Sequence, residues 1–351
     1  MTSPLGSAAS GRWASGPGGE PGPLRGLDLV ALQAYLGSDR PLTATMFAGG
    51  RSNLTYAVSD GVSRWVLRRP PLGHVLPTAH DMSREHKVLS ALSAAGYPAP
   101  APIRLCTDPE VIGAPFYLME YVDGHIYRSV EDIEALGAPA HHQLILSVVD
   151  NLADLHALDP EAIGLGDFGR PQGFNERQVR RWKKQLDASR SRDVPGIEEL
   201  HARLAVQVPE GDGTVVHGDY RLDNVLIDDD LNVAAVLDWE MSTLGDPLSD
   251  VALMLVYAER PLLTKEGTAR PPMTIAGHPT AGEMTRRYAE RSKRDVSDLH
   301  WYVAFATFKL AVILEGVHYR YVQGQTVGEG FDTVGAMVAP LVAQGHQALE
   351  G

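Results

Sequence analysis

A single cysteine, Cys106, stands in the whole chain, so no internal disulfide can close and no thiolate zinc cluster can assemble. The chain therefore has no need of an oxidising compartment. Positive charge is in deficit. Lys and Arg number 31 against 44 Asp and Glu, a formal net charge of −13, which argues against general nucleic-acid binding. Such binding needs a basic surface that displaces counterions. No apolar run reaches the roughly 20 residues of a bilayer span. The longest candidate, Trp301–Leu314, is interrupted by Lys309. The opening MTSPLGSAASGRW has no apolar core of the secretory type. These absences predict a cytoplasmic protein with neither membrane nor nucleic acid as partner.

What remains is globular: 44% hydrophobic and 21% charged residues over 351 positions, enough for two lobes. Residues 1–26 hold seven Gly and four Pro with little to pack, and read as a disordered arm. A helix is expected from Leu27, then a hairpin turning at Ser59-Asp60-Gly61. SREHKVLSALSAAG reads as a helix capped by Ser83 and stopped by Gly96, and PFYLMEYVDG as a strand leaving the first lobe. Helices dominate afterwards, apart from short strands in TVVHGD and NVLIDDDLNVAAVLDWE. The pattern is α+β: a small β-rich lobe at 27–122 and a larger, mainly helical lobe at 123–351.

Polar chemistry concentrates in VVHGDYRLDNVLID (215–228) and AAVLDWE (234–240). A carboxylate at Asp219, a carboxamide at Asn224 and a second carboxylate at Asp238 all sit beside β-branched strand residues. Oxygen ligands of this kind suit a hard cation such as Mg²⁺, which takes few protein ligands and completes its shell on phosphates. A solvated acidic turn is the bland reading of the same residues, and the apolar strands around them weigh against it.

HGDYRLDN followed by LDWE and GDPLSDVA resembles the aminoglycoside phosphotransferase and choline kinase branch of the protein-kinase-like phosphotransferases. The LRRP form of the first lobe is similar to the acyl-CoA-dehydrogenase-associated and mycobacterial-type members. The resemblance, which covers most of residues 40–320, implies a bilobal kinase-like fold with ATP and Mg²⁺ as cofactors. It implies that Asp219 accepts the proton of an attacking hydroxyl, that Arg221 lies near the transferred phosphoryl, and that Asn224 and Asp238 hold Mg²⁺. His217 would be a scaffold residue bonding backbone. Asp250, after the metal strand, reads as a partner for Arg221 or another base-side cation. In the first lobe Gly49, Gly50 and Ser52, with Asn53 beside them, stand where the family has its phosphate loop. Arg68 stands where the usual cation is lysine, and Glu85 on the next helix would orient it. Arg69 alternates to the other face of the strand and reads as solvated. Met119 would back the nucleotide pocket, with backbone of Glu120 and Val122 on the base edge. Recognition through backbone leaves the choice between ATP and GTP unread.

The basic stretch RQVRRWKKQLDASRSR reads either as a solvated face or as a rim for an anionic acceptor. The expected function is a small-molecule kinase acting on an acceptor hydroxyl, with a hydroxyacyl-CoA or related metabolite favoured by charge. An aminoglycoside-type antibiotic acceptor and a nucleotide-binding pseudokinase are the competing readings.

Overall fold

The computed structural model describes residues 24–47, 53–73, 80–260, 262–263, 269–326 and 331–350. They divide into two compact units: one of the residues up to Arg128 with Leu222–Glu240, the other of Ser129–Arg221 with Met241 onward.

In the first unit, Asp28 opens helix α1 (Leu29–Leu36) by accepting the N–H groups of Val30 and Ala31, each at 3.0 Å. Strands β1 (Thr43–Met46), β2 (Leu54–Ser59), β3 (Arg64–Arg69), β4 (Pro102–Cys106) and β5 (Phe116–Glu120) form one antiparallel sheet, ordered β1-β2-β3-β5-β4. Strand β4 begins at the end of the Pro-rich run YPAPAP. It is an edge strand begun by Pro102, a place where the missing N–H costs no central ladder bond. Helix α2 (Met82–Ala94) packs against β4 and β5 and buries Met82, Glu85, Val88, Leu89 and Leu92. Its cap is Asp81, not Ser83, because the Asp81 carboxylate takes the Ser83 and Arg84 N–H groups at 2.9 and 3.2 Å.

The two faces of the sheet are both covered. Leu27 and Leu32 pack with Tyr56, Val58, Leu67, Phe116 and Leu118 on one of them, each large side chain contributing about 1.5–3 kcal/mol. That cover corrects two expectations. Arg69 does not alternate into solvent but is 5% exposed, its guanidinium donating to the carbonyls of Gly26 and Ile112. Nor does the arm extend to residue 26: Arg25 and Gly26 present carbonyls to the Tyr56 hydroxyl and to Arg69. Residues 1–23 lie outside the described residues.

The hairpin of Val225–Ile227 and Val233–Val236 also belongs to this unit, although the expected lobes give it to the second. Three contacts explain the grouping. Val236 N–H donates to Pro98 O at 2.8 Å, Trp239 meets Tyr97 edge-on, and His125 exchanges two backbone bonds with Ile227. The last of these also carries the unit past the expected boundary at 122 to Arg128.

The second unit consists of helices α3 (Val130–Glu134), α4 (Ala138–Ala157), α5 (Phe174–Ser189), α6 (Ile197–Val206), α7 (Leu248–Glu259), α8 (Ala281–Ser292), α9 (Leu299–Val322) and α10 (Val338–Ala348). Helix α9 is central, packing against α5, α6, α7 and α10. By length and composition it could cross a bilayer, but 72% of its apolar window is buried within the protein. A short antiparallel pair, Thr214–Val216 with Thr243–Gly245, carries the turn at His217–Asp219.

Candidate active site

Within the first unit the structure brings together Arg68, Glu85 and Asp238. Strand β3 sets Arg68 opposite Tyr117, on the face that α2 covers, and Glu85 comes from the buried stripe of that helix. Arg68 Nε lies 3.1 Å from Glu85, and its Nη2 contacts the Asp238 carboxylate and, at 3.3 Å, Glu240. Burial pushes the Glu85 carboxyl up to about 7, above its ordinary range, against the pull of Arg68. The Tyr117 hydroxyl donates to the same carboxylate. Burial works against the Arg68 charge as well, but Glu85 and the other carboxylates outweigh it and hold the guanidinium protonated.

Asp238 occupies the left-handed region at φ +66°, a conformation that costs an ordinary L-residue energy and persists only where surroundings impose it. Those surroundings are visible on both sides. Leu237 N–H donates to Asn224 O at 2.8 Å, and the buried Trp239 anchors its indole N–H on Val236 O at 2.9 Å. Asn224 and Asp238 are thus tied through adjacent backbone. Among the described residues no cluster of three or more His, Cys, Asp or Glu could by itself cage an ion. Mg²⁺ does not need one: a carboxylate and a carbonyl-type oxygen, with phosphates, fit its preference. The donor set fits.

Asn53, buried at the end of the loop expected to cover phosphates, donates to Glu240 at 2.9 Å. Gly49, Gly50 and Ser52 themselves lie outside the described residues. Met119 is buried on β5, between Val66 of β3 and Pro102 of β4. Glu120 has its N–H committed to Ala101 O at 2.8 Å. Val122 follows just beyond the strand, partly buried.

Asp219 and Arg221 belong to the second unit, since the chain passes to the first only after Arg221. The Asp219 carboxylate accepts the Tyr257 hydroxyl at 3.0 Å, and Arg221 Nε lies 3.9 Å from its other oxygen. Both side chains are about one-third exposed, at 33% and 34%, so a hydroxyl can reach the carboxylate. The turn is held from beneath. Asp250, fully buried, accepts the His217 and Gly218 N–H groups at 2.6 and 2.8 Å, and His217 Nδ1 accepts the Asp219 N–H at 3.2 Å. Burial would raise the Asp250 carboxyl, but the bond from His156, the neighbouring histidines and the Gly218 N–H hold it below the usual aspartate range. Asp250 was expected to pair with a base-side cation such as Arg221. Its partners are instead these backbone groups and His156, 3.4 Å away.

Sequence reasoning missed Glu240, Tyr257 and Lys309. Glu240 closes the LDWE motif and could have been suspected from it. Tyr257 lies 38 residues from Asp219 inside an apolar helix, and nothing in the local pattern marks it. Three of the seven cations in the basic stretch carry ion pairs: Lys183 with Asp187 and Glu198, Arg190 with Glu198, and Arg192 with Glu315. Arg221 does stand close to Asp219, and a second cation stands near their shared neighbour Tyr257. Arg221 and Arg260 both lie over the Tyr257 ring, at 5.2 and 5.4 Å from its centroid.

A family model described as the phosphotransferase enzyme family, APH, matches residues 43–276. Acyl-CoA dehydrogenase family member 11 of Rattus norvegicus is 36% identical over 340 residues, covering 93% of this chain and 44% of the relative. Family member 10 of Mus musculus is 37% identical over 304 residues, covering 84% and 28%. The chain therefore spans less than half the length of these curated relatives. A crystal structure from Ralstonia eutropha, provisionally described as an aminoglycoside phosphotransferase, aligns with a TM-score of 0.80 at 30% identity, covering 92% of this chain and 98% of that one. A thermostable mutant of aminoglycoside phosphotransferase APH(4)-Ia, solved with AMP-PNP and hygromycin B, shares the fold at a TM-score of 0.59 and 18% identity, covering 92% and 98%.

Proposed function

Because this chain belongs to the phosphotransferase enzyme family and has its kinase-like α+β fold, we propose that it transfers the γ-phosphoryl of ATP to a small-molecule hydroxyl. Phosphoryl transfer asks a protein for position and charge rather than covalent chemistry. Asp219 accepts the hydroxyl proton as the oxygen bonds to the γ-phosphorus and the bond to the β,γ-bridging oxygen breaks, releasing ADP. Arg221, beside it, offsets charge on the moving phosphoryl. Arg68, oriented by Glu85, offers a planar fork to phosphate oxygens, a bidentate grip that a lysine ammonium lacks. Met119, Glu120 and Val122 receive the adenine, and Gly49, Gly50 and Ser52 cover the phosphates. Asn224 and Asp238 would hold Mg²⁺, which when bound neutralises phosphate charge.

The observation that carries this reading is the Asp219 turn: an accessible carboxylate, hydrogen-bonded by Tyr257, on a backbone locked to a buried aspartate. For the acceptor, Arg221 beside Asp219 and Arg260 over the ring of Tyr257 favour an anionic molecule over a polycationic antibiotic. A hydroxyacyl-CoA or related metabolite fits that charge, and the relatives carry acyl-CoA dehydrogenase names. One observation favours a nucleotide-binding pseudokinase instead: Arg68 already engages Asp238. The test is Mg²⁺-dependent ADP release with hydroxyacyl-CoA thioesters, sugars, choline and aminoglycosides. Turnover with an anionic acceptor is expected. Turnover confined to aminoglycosides would overturn the acceptor assignment, and ATP binding without turnover on any acceptor would favour the pseudokinase.

A further inference from the structure

Helix α9 is apolar and buried along most of its length, and Lys309 interrupts it. The lysine lies at a position outside the residues 43–276 that the family model matches. A mostly buried ammonium is costly unless something compensates it. Burial pulls the Lys309 ammonium below its ordinary pKa, while Asp250 and Asp219 support its charge and Arg181 opposes it. Its Nζ donates to Gly218 O at 3.3 Å and lies 5.7 Å from the centroid of the Trp182 ring.

The carbonyl it holds is informative. Gly218 O and Asp219 N belong to the same peptide group, and the N–H end is held by His217 Nδ1 at 3.2 Å. Lys309 thus grips one end of the peptide plane that sets the Asp219 Cα, and His217 grips the other. The preceding peptide is fixed too, by Asp250 on the Gly218 N–H. The turn also requires glycine at 218: at φ +85° an added Cβ would lie 2.7 Å from Met241 O.

We propose that Lys309 is a positioning residue for the phosphoryl-transfer reaction, clamping the Gly218–Asp219 peptide so that the base carboxylate keeps its aim. This rests on Asp219 being the base. A lysine kept only for stability would be a poor choice here, since an apolar side chain of similar length avoids the desolvation cost. Misplacing a reacting group by even an ångström lowers rates steeply.

The test uses the full chain as Lys309→Met and Lys309→Arg, with Asp219→Ala beside them. Hydrogen exchange of the peptide spanning residues 215–221 is read without nucleotide or acceptor, and turnover is read with Mg²⁺-ATP and the acceptor found in the panel. Lys309→Met is expected to fold with a Tm no lower than wild type and to exchange the Asp219 amide faster. Its kcat falls by roughly tenfold to a hundredfold, with KM for ATP unchanged, and Lys309→Arg restores most of both signals. Unchanged exchange in a folded Lys309→Met overturns the proposal, as does a kcat within twofold of wild type. Wild-type turnover in Asp219→Ala would instead remove the base assignment, while the exchange result still judges the clamp.

Discussion

Tyr257 and Asp250 do different work for one carboxylate. The Tyr257 hydroxyl touches Asp219 itself, so Tyr257→Phe removes a hydrogen bond to an ionised acceptor, about 1.5 kcal/mol at the low end. The expected outcome in initial-rate assays is a kcat lower by about tenfold with little change in Tm. Asp250 acts on backbone, and Asp250→Asn leaves two buried N–H groups and His156 without their charged partner. Urea denaturation should then show a loss of about 1.5–3 kcal/mol. The pH dependence has a defined sign. A carboxyl held below its unfolded value stabilises the fold above that value, near 3.8, and loses the contribution as pH falls through its folded value. The Tm gap between wild type and Asp250→Asn should therefore be wide at pH 7 and narrow as the pH falls below the ordinary aspartate range. A gap independent of pH would contradict this account of Asp250.

At the scale of elements, the sequence was most readable where one rule acted alone. Helix α2 announced itself by its periodic apolar residues, and Glu85 and Arg68 could be paired because a kinase-like pattern demands a helical carboxylate for that cation. Reading failed where distant chain decided the outcome. Alternation along β3 put Arg69 in solvent, and only the packing of α1 and residues 24–28 onto that face reverses it. The cap of α2 moved by two residues because Asp81 competes better for the first free N–H groups than Ser83. Lys309 was visible only as a flaw in an apolar run, since its partner lies 91 residues away. Asp81→Ala should cost about 1 kcal/mol of stability, read by thermal melting. A Tm identical to wild type would mean that the helix start is held by packing alone.

Across the whole molecule, the site residues distribute between the two compact units: Asp219 and Arg221 on the second, Asn224, Asp238, Arg68 and Glu85 on the first. The chain crosses between the units inside the motif itself. Stability of the first unit should depend on its N-terminal entry. Truncation through Gly26 removes the carbonyls that receive Tyr56 and one N–H of the buried Arg69, a loss of about 1–3 kcal/mol, although Arg69 keeps Ile112 O. Melting should show a Tm several degrees below that of a truncation ending at Pro23, and equal values would contradict it.

The assignment of Asp219 as the base that receives the acceptor proton is tested most directly by Asp219→Ala. ADP release with the preferred acceptor and the ATP-induced rise in Tm are measured on the same preparation. The account predicts that turnover falls to background while the nucleotide-induced rise in Tm persists, because binding and proton acceptance use different residues. Turnover at the wild-type rate in a folded Asp219→Ala protein would contradict it.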